Sequence, residues 1–266
     1  MYETTYHRPS SVAEAASLFA KGKEARYLAG GHTLIPVMKQ RLASPSDVID
    51  LGKLKELIGV EATNNGIEIK AATTHYDVAS SAAVQKALPA LASLAAQIGD
   101  PAVRHRGTIG GSLANNDPAA DYPAAVLALN ATIKTDKRTI AADEFFKGLF
   151  STALADGEII TAVSFPVTAK ASYAKFPHPA SRFALTGVFV ARTSGGDVRV
   201  AATGASQNGV MRVPAIEAAL KANWSPGAID AVTISADGLL SDIHGSSDYR
   251  ANLIKVMAQR AVQAAG

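Results

Sequence analysis

The sequence predicts an α+β fold in two parts, a two-lobed first part over residues 1–170 and a smaller α+β part over residues 171–266. Three observations carry that prediction. Strand and helix signals alternate through the opening third, and a break falls near Pro166–Ala171. Beyond the break strands come first and helices last, the order of an α+β unit rather than of a doubly wound sheet. At 266 residues the chain suffices for one large domain or two modest ones with buried cores.

The first lobe takes about residues 1–57. Ser11-Val12-Ala13-Glu14 is the spacing of a capping box and opens a short helix that Lys21-Gly22 closes. A strand over Ala25–Ala29 leads through Gly30-Gly31 into a helical run from Thr33 to Arg41, and Asp47–Leu51 makes a second strand. The second lobe, 58–170, begins with a strand over Ile67–Thr73, after which Thr74 and Asp77 suit a helix cap. Leu88, Leu91, Leu94, Ala95 and Ile98 recur at helical spacing, so that segment packs one face inward. Gly99 to Ser112 reads as one glycine-rich loop. A helix over Pro123–Leu129 and strands over Ala131–Thr135 and Ile159–Phe165 complete the lobe. In the second part, strands over Ala171–Phe176, Ala184–Arg192 and Val198–Ala205 include a hairpin turned at Gly195-Gly196-Asp197. Helices over Ala215–Ala222 and Asp248–Ala264 end the chain, the last with Leu253, Ile254, Met257 and Ala261 on its inward face.

Composition narrows the function. The chain has no cysteine, which excludes disulfides, thiolate zinc sites, a cysteine nucleophile and an iron–sulfur cluster held by this chain. A formal net charge of +3, with no basic stripe interleaved with aromatics, argues against nucleic acid as a partner. No apolar run approaches the roughly 20 residues a membrane span needs, and Met1–Thr5 opens without a secretory pattern. A cytoplasmic protein without membrane insertion is the expectation. The histidines show no metal-ligand spacing, and no G-x-S-x-G elbow presents a serine nucleophile.

Two segments carry chemistry. Leu28-Ala29-Gly30-Gly31-His32-Thr33-Leu34-Ile35-Pro36 sets paired glycines between a strand and a helix. Such a turn lets the backbone take positive φ, and its successive N–H groups form a nest for a phosphate, with the Thr33 hydroxyl as an extra donor. A tight turn with no ligand has the same signature. Arg104-His105-Arg106-Gly107-Thr108-Ile109-Gly110-Gly111-Ser112 repeats the logic, and the two segments suit the two ends of one pyrophosphate. Both loops are expected at the surface. Neither is the G-x-G-x-x-G of a dinucleotide-binding Rossmann unit, nor is there a P-loop.

The ordered set Ala-Gly-Gly-His-Thr-Leu-Ile-Pro, Asp100–Arg104, Thr108–Gly111, Asn116–Asp121, Tyr173–Phe176, Pro179–Ala184 and Gly245–Arg250 resembles the FAD-binding medium subunits of the aerobic carbon monoxide dehydrogenase and xanthine dehydrogenase group, the molybdenum hydroxylases. The resemblance covers nearly the whole chain. It implies an FAD domain of the para-cresol-methylhydroxylase type, binding FAD without a covalent bond. It also implies partners: a molybdopterin-bearing large subunit and a 2Fe-2S small subunit, as a dimer of heterotrimers. Electrons would pass from the 2Fe-2S subunit through FAD to an external acceptor, and no residue of this chain would be catalytic. The alternatives are a free-standing flavoprotein oxidoreductase and a non-catalytic nucleotide-binding assembly protein.

By the same resemblance Ala29, Gly30, Gly31, His32, Thr33 and Leu34 line one pyrophosphate loop, and Thr108, Ile109, Gly110, Gly111 and Ser112 the other. Ser112 departs from the asparagine common there and lacks its amide donors. Asp121 matches a carboxylate that accepts from the cofactor's hydroxyls; as the residue before Tyr122-Pro123 it equally suits a helix N-terminus. Lys175 matches a lysine near the flavin, where a cation favours the negatively charged reduced form, and equally suits a solvated strand. Phe183 matches an aromatic over the flavin ring. It equally suits a plain core position at the start of a strand. Arg104 and Arg106 are either phosphate clamps or surface charges.

Overall fold

The computed structural model describes residues 1–266. The first lobe runs β1 (Thr5–His7), α1 (Val12–Lys21), β2 (Ala25–Leu28), α2 (Leu34–Lys39) and β3 (Asp47–Asp50). β3 lies between β1 and β2 and is parallel to both, so each connection is a helix that crosses over. The Ser11 hydroxyl caps α1 by accepting from the Glu14 N–H, as the spacing predicts. The Glu14 carboxylate completes the motif one residue early, accepting from the Ser10 N–H at 2.7 Å.

The second lobe is an antiparallel sheet with helices. Its chain order is β4 (Val60–Thr63), β5 (Gly66–Lys70), α3 (His75–Ser80), α4 (Ala82–Ala87), α5 (Pro89–Ala96), α6 (Pro101–Arg104), α7 (Ile109–Asn115) and α8 (Tyr122–Ala128). There follow β6 (Thr132–Thr135), β7 (Thr139–Ala141), α9 (Ala142–Phe145), the small hairpin of β8 (Phe146–Gly148) and β9 (Ser151–Thr152), and β10 (Ile160–Pro166). The sheet order is β4-β5-β10-β6-β7. Thr74 caps α3 through the Asp77 N–H, as predicted.

One expectation fails here. Gly99 to Ser112 is not a single loop, because α6 and the first turn of α7 lie inside it. Asp100 caps α6 by accepting from the Val103 N–H, with Pro101 in the first turn. Thr108 caps α7 by accepting from the Gly111 N–H. Two good caps outweigh the poor helix propensity of the glycines.

The second part is an antiparallel meander of β11 (Lys170–Pro177), β12 (Ala184–Arg192), β13 (Val198–Ser206) and β14 (Gly209–Arg212), followed by α10 (Pro214–Ala222) and α11 (Ser247–Ala265). The turn between β12 and β13 places Gly196 at φ +88°, where a side chain would be strained. α11 covers one face of this sheet and buries Leu253, Ile254, Met257 and Ala261 as predicted. The opposite face meets α8. Tyr173, Phe189, Ala191 and Ala201 of the sheet share one apolar cluster with Val126 and Leu127 of α8 and Leu91 and Leu94 of α5. Every residue of α8 is buried, so the helix has no solvent face and acts as a wall between the lobe and the meander.

Candidate functional site

β2 ends where the Leu28 carbonyl accepts from the Leu51 N–H at 2.7 Å, and the chain then leaves the sheet. Gly31 sits at φ +80° in the turn that follows. The N–H groups of Gly30, Gly31, His32, Thr33 and Leu34 donate to no protein acceptor. Such a run of uncommitted amides around a glycine at positive φ is what an anion cradle needs. Thr33 forms no side-chain cap on α2, which leaves its hydroxyl uncommitted. Gly30 is a glycine for a different reason: a Cβ there would lie 2.3 Å from the Arg106 carbonyl oxygen and 2.7 Å from Gly107 Cα. The first loop therefore rests directly on the backbone of the second.

The second loop is built differently. Ile109 donates to the Thr73 carbonyl, Gly110 to the Ala71 carbonyl at 2.9 Å, and Ser112 to the Thr108 carbonyl. Gly111 donates to the Thr108 hydroxyl at 3.1 Å. A Cβ on Gly110 would lie 2.6 Å from Ala71 Cβ, so this glycine is buried against β5 rather than lying at the surface as expected. Gly111 is exposed and faces the first loop, its Cβ direction passing 3.9 Å from Ala29 Cβ. The two segments come together with unequal roles. The first loop offers donors; the second forms a rigid wall with one open glycine. Ser112 lies in α7, and its hydroxyl makes no hydrogen bond within the chain.

Beneath this junction lies His75. Its N–H donates to the Gly107 carbonyl at 2.9 Å, and a Cβ on Gly107 would lie 2.5 Å from its Nε2. Burial, then the neighbouring His32 and Arg104, push the His75 imidazole down to about 4, so it is neutral at physiological pH. Its ring lies 5.3 Å from that of Tyr122, whose hydroxyl is buried without a partner, as is His75 Nδ1. Arg104 donates to the Ile98 and Gly99 carbonyls and so braces the turn before α6, while Arg106 is exposed.

Asp121 and Lys175, 54 residues apart, form a buried ion pair at 3.0 Å. The Lys175 side chain is 3% exposed, which removes the solvated-strand alternative. Its ammonium also donates to the Gln97 carbonyl at 3.2 Å. Tyr173 donates its hydroxyl to Asp121 at 2.6 Å. Burial pushes the Asp121 carboxyl above the ordinary carboxylate range, against the opposing pull of Lys175 and Tyr173. Asp121 does stand at the N-terminus of α8, as the helix-terminus alternative has it, but its side chain accepts from no helix N–H. Phe183 lies outside β12 and is 49% exposed, so it is not the core residue that its place before an apolar strand suggests.

The family described as FAD binding domain in molybdopterin dehydrogenase matches residues 2–168. The chain belongs to this family. The medium subunit of nicotine 6-hydroxylase from Paenarthrobacter nicotinovorans is 36% identical, over 98% of this chain and 96% of that one. The carbon monoxide dehydrogenase medium chain of Hydrogenophaga pseudoflava is 34% identical over the same shares, 98% and 96%. Among solved structures, reconstituted CO dehydrogenase from Oligotropha carboxidovorans superimposes with a TM-score of 0.89 at 33% identity, covering 99% of this chain and 97% of that chain. This FAD-binding chain supplies a fitting cradle for a dinucleotide pyrophosphate: five unpartnered N–H groups, Gly31 at positive φ, and an exposed glycine opposite. His75, Tyr122 and the Gln97 carbonyl escape motif reasoning. Tyr173 opens the segment Tyr173–Phe176 that carries part of the resemblance, yet sequence assigns it no role beyond sharing a strand face with Lys175.

Proposed function

We propose that this FAD subunit of a molybdenum hydroxylase holds its cofactor's pyrophosphate between Ala29–Leu34 and Thr108–Ser112. The observation that carries this is the run of free N–H groups from Gly30 to Leu34, closed on one side by the second loop. Asp121 would accept from a cofactor hydroxyl, the Lys175 ammonium would stand near the flavin, and the exposed Phe183 ring would cover it. FAD, when bound, takes up electrons delivered by a 2Fe-2S subunit and gives them to an external acceptor. The protein's own work is to bind, orient and exclude water. His75 stays neutral beneath the loops, so the cradle's charge comes from the amides and from the neighbouring Arg104 guanidinium.

Substrate oxidation belongs to a molybdopterin-bearing large subunit. Relatives of nearly equal similarity serve enzymes named for nicotine and for carbon monoxide, so the medium chain does not encode the substrate. The assembly is a dimer of heterotrimers in the cytoplasm, and residues 1–170 and 171–266 are its two domains. No helix is long and apolar enough to cross a membrane.

Absorbance and acid precipitation test the reading. The purified chain should be yellow, with one FAD per chain released into the supernatant, since it has no cysteine for a thioether bond. Mixed anaerobically with carbon monoxide, aldehydes or purines, the isolated chain should keep its colour, and the full assembly should bleach with its own substrate. Rapid bleaching of the isolated chain would make it a free-standing oxidoreductase. A colourless chain that takes up no FAD would overturn the proposal.

A further inference from the structure

We infer that Tyr173 is a positioning residue for the flavin: through the Asp121 carboxylate it fixes the charge balance and the place of the Lys175 ammonium. This rests on the reading that Asp121 and Lys175 face the cofactor. The phenol is buried and donates to Asp121 Oδ1 at 2.6 Å. Room for it exists only because Gly187 lacks a side chain. A Cβ at Gly187 would lie 2.1 Å from the Tyr173 hydroxyl oxygen. Gly187 is fully buried in the middle of β12, directly across from Lys175 in the register, where a glycine weakens a strand. The strand accommodates the hydroxyl at that cost.

The backbone leading to Asp121 is held by the same sheet. The Thr203 hydroxyl donates to the Ala120 carbonyl at 2.7 Å and lies 3.0 Å from the Pro118 carbonyl, which also accepts from the Gly204 N–H at 2.8 Å. Asp121 is thus fixed by backbone and side chain together. Lys175 has three N–H donors. One goes to Asp121 and one to the Gln97 carbonyl, which leaves one for an electron-rich atom outside the protein.

The direction of the effect follows from the charges. The phenol stabilises ionised Asp121 in a site where burial favours the neutral acid. Without the phenol the balance at the carboxyl moves further toward the neutral acid, against the pull of Lys175, so Lys175 has a weaker counter-ion and a bound flavin becomes easier to reduce. The test uses the full chain loaded with FAD, in four variants: Tyr173→Phe, Gly187→Ala (which keeps the hydroxyl but displaces it), Asp121→Asn, and Tyr173→Phe with Asp121→Asn. FAD content is measured first, then the flavin midpoint potential by spectroelectrochemistry.

All three single variants should raise the potential, and the double should match Asp121→Asn alone, because the tyrosine acts only through the carboxylate. A Tyr173→Phe protein that loses thermal stability but keeps the wild-type potential would make the residue merely structural and overturn the inference. So would a shift that adds in full to that of Asp121→Asn. A wild-type chain that holds no FAD overturns the functional reading as well, and the FAD content separates that outcome from an unmoved potential.

Discussion

Replacing Gly31 by alanine separates the cradle from the fold. Gly31 has φ +80° and is half-buried; the nearest atoms to an added Cβ are Ile35 Cγ1 at 3.1 Å and Leu28 Cδ1 at 3.4 Å. Steric room is nearly adequate, so the dihedral dominates, and a left-handed conformation costs an L-residue about 1–2 kcal/mol. The loop relieves this by turning its amides away, since none of them is tied to the protein. FAD affinity should fall about tenfold, the equivalent of about 1.4 kcal/mol, while the melting temperature of the FAD-free chain moves little. Gly110→Ala is the control of opposite character. Its Cβ would press on Ala71 Cβ at 2.6 Å and the Ala71 oxygen at 2.8 Å. Overpacking of this kind costs about 1–3 kcal/mol, and each kcal/mol lowers the melting temperature by about 2–4 °C in a domain of 150–250 residues. Fluorescence titration with FAD and thermal melts of both FAD-free proteins check this. Unchanged FAD affinity in Gly31→Ala would refute the assignment of the free amides to the cofactor.

Other outcomes follow from the packing and the charges. His75 has its folded value pushed down to about 4 from an ordinary 6.5, so its stabilising contribution is complete above pH 6.5 and is lost as pH falls to about 4. At 1.36 kcal/mol per unit that amounts to roughly 3 kcal/mol; His75→Phe should flatten the stability profile over that window in urea melts at stepped pH. Arg250 is buried and donates to the Leu185 carbonyl, the Gly204 carbonyl and Asp242 at 2.7–2.8 Å. Arg250→Met should cost about 3 kcal/mol, measured by denaturant unfolding, since charge-assisted bonds are lost and the Gly204 carbonyl loses its arginine partner, while the Leu185 carbonyl keeps the Thr186 hydroxyl at 2.8 Å. Asn116, at φ 44°, donates from Nδ2 to the Gly148 and Ser151 carbonyls at 2.8 Å. Asn116→Ala should destabilise the chain by about 2 kcal/mol and make the 148–151 hairpin the first site of limited proteolysis.

Local chemistry was legible; long-range chemistry was not. Ser11, Thr74 and the face of α11 could be read because caps and helical spacing act over three or four residues. Gly110 looks like a surface glycine in sequence, which shows a permissive residue without showing what presses on it, here Ala71 from 39 positions away. Gly30 has the same character: the Arg106 carbonyl requires it, and that contact exists only after folding. Phe183 stands next to an apolar strand in sequence. The His178 N–H, by donating to the Phe183 carbonyl at 2.8 Å, closes a turn before the strand begins and leaves the ring outside. The Asp121–Lys175 pair had no joint signature at all, since a carboxylate and an ammonium 54 residues apart each have an ordinary surface explanation.

α8 explains why the candidate site depends on the part of the chain beyond residue 170. Its sequence, Tyr122-Pro123-Ala124-Ala125-Val126-Leu127-Ala128, has no polar face, so it must be covered on all sides. The second lobe covers it with α5 and α7, and the meander covers it with β12 and β13. Asp121 stands at the start of this helix and is tied to Tyr173 and Lys175 on β11, while the preceding carbonyls are tied to Thr203 and Gly204 on β13. Displacing the meander breaks those bonds and uncovers α8 at once. The position of Asp121 is therefore set by strands that no glycine-loop motif includes, and under the proposed function substitutions in those strands would reach the flavin through Asp121.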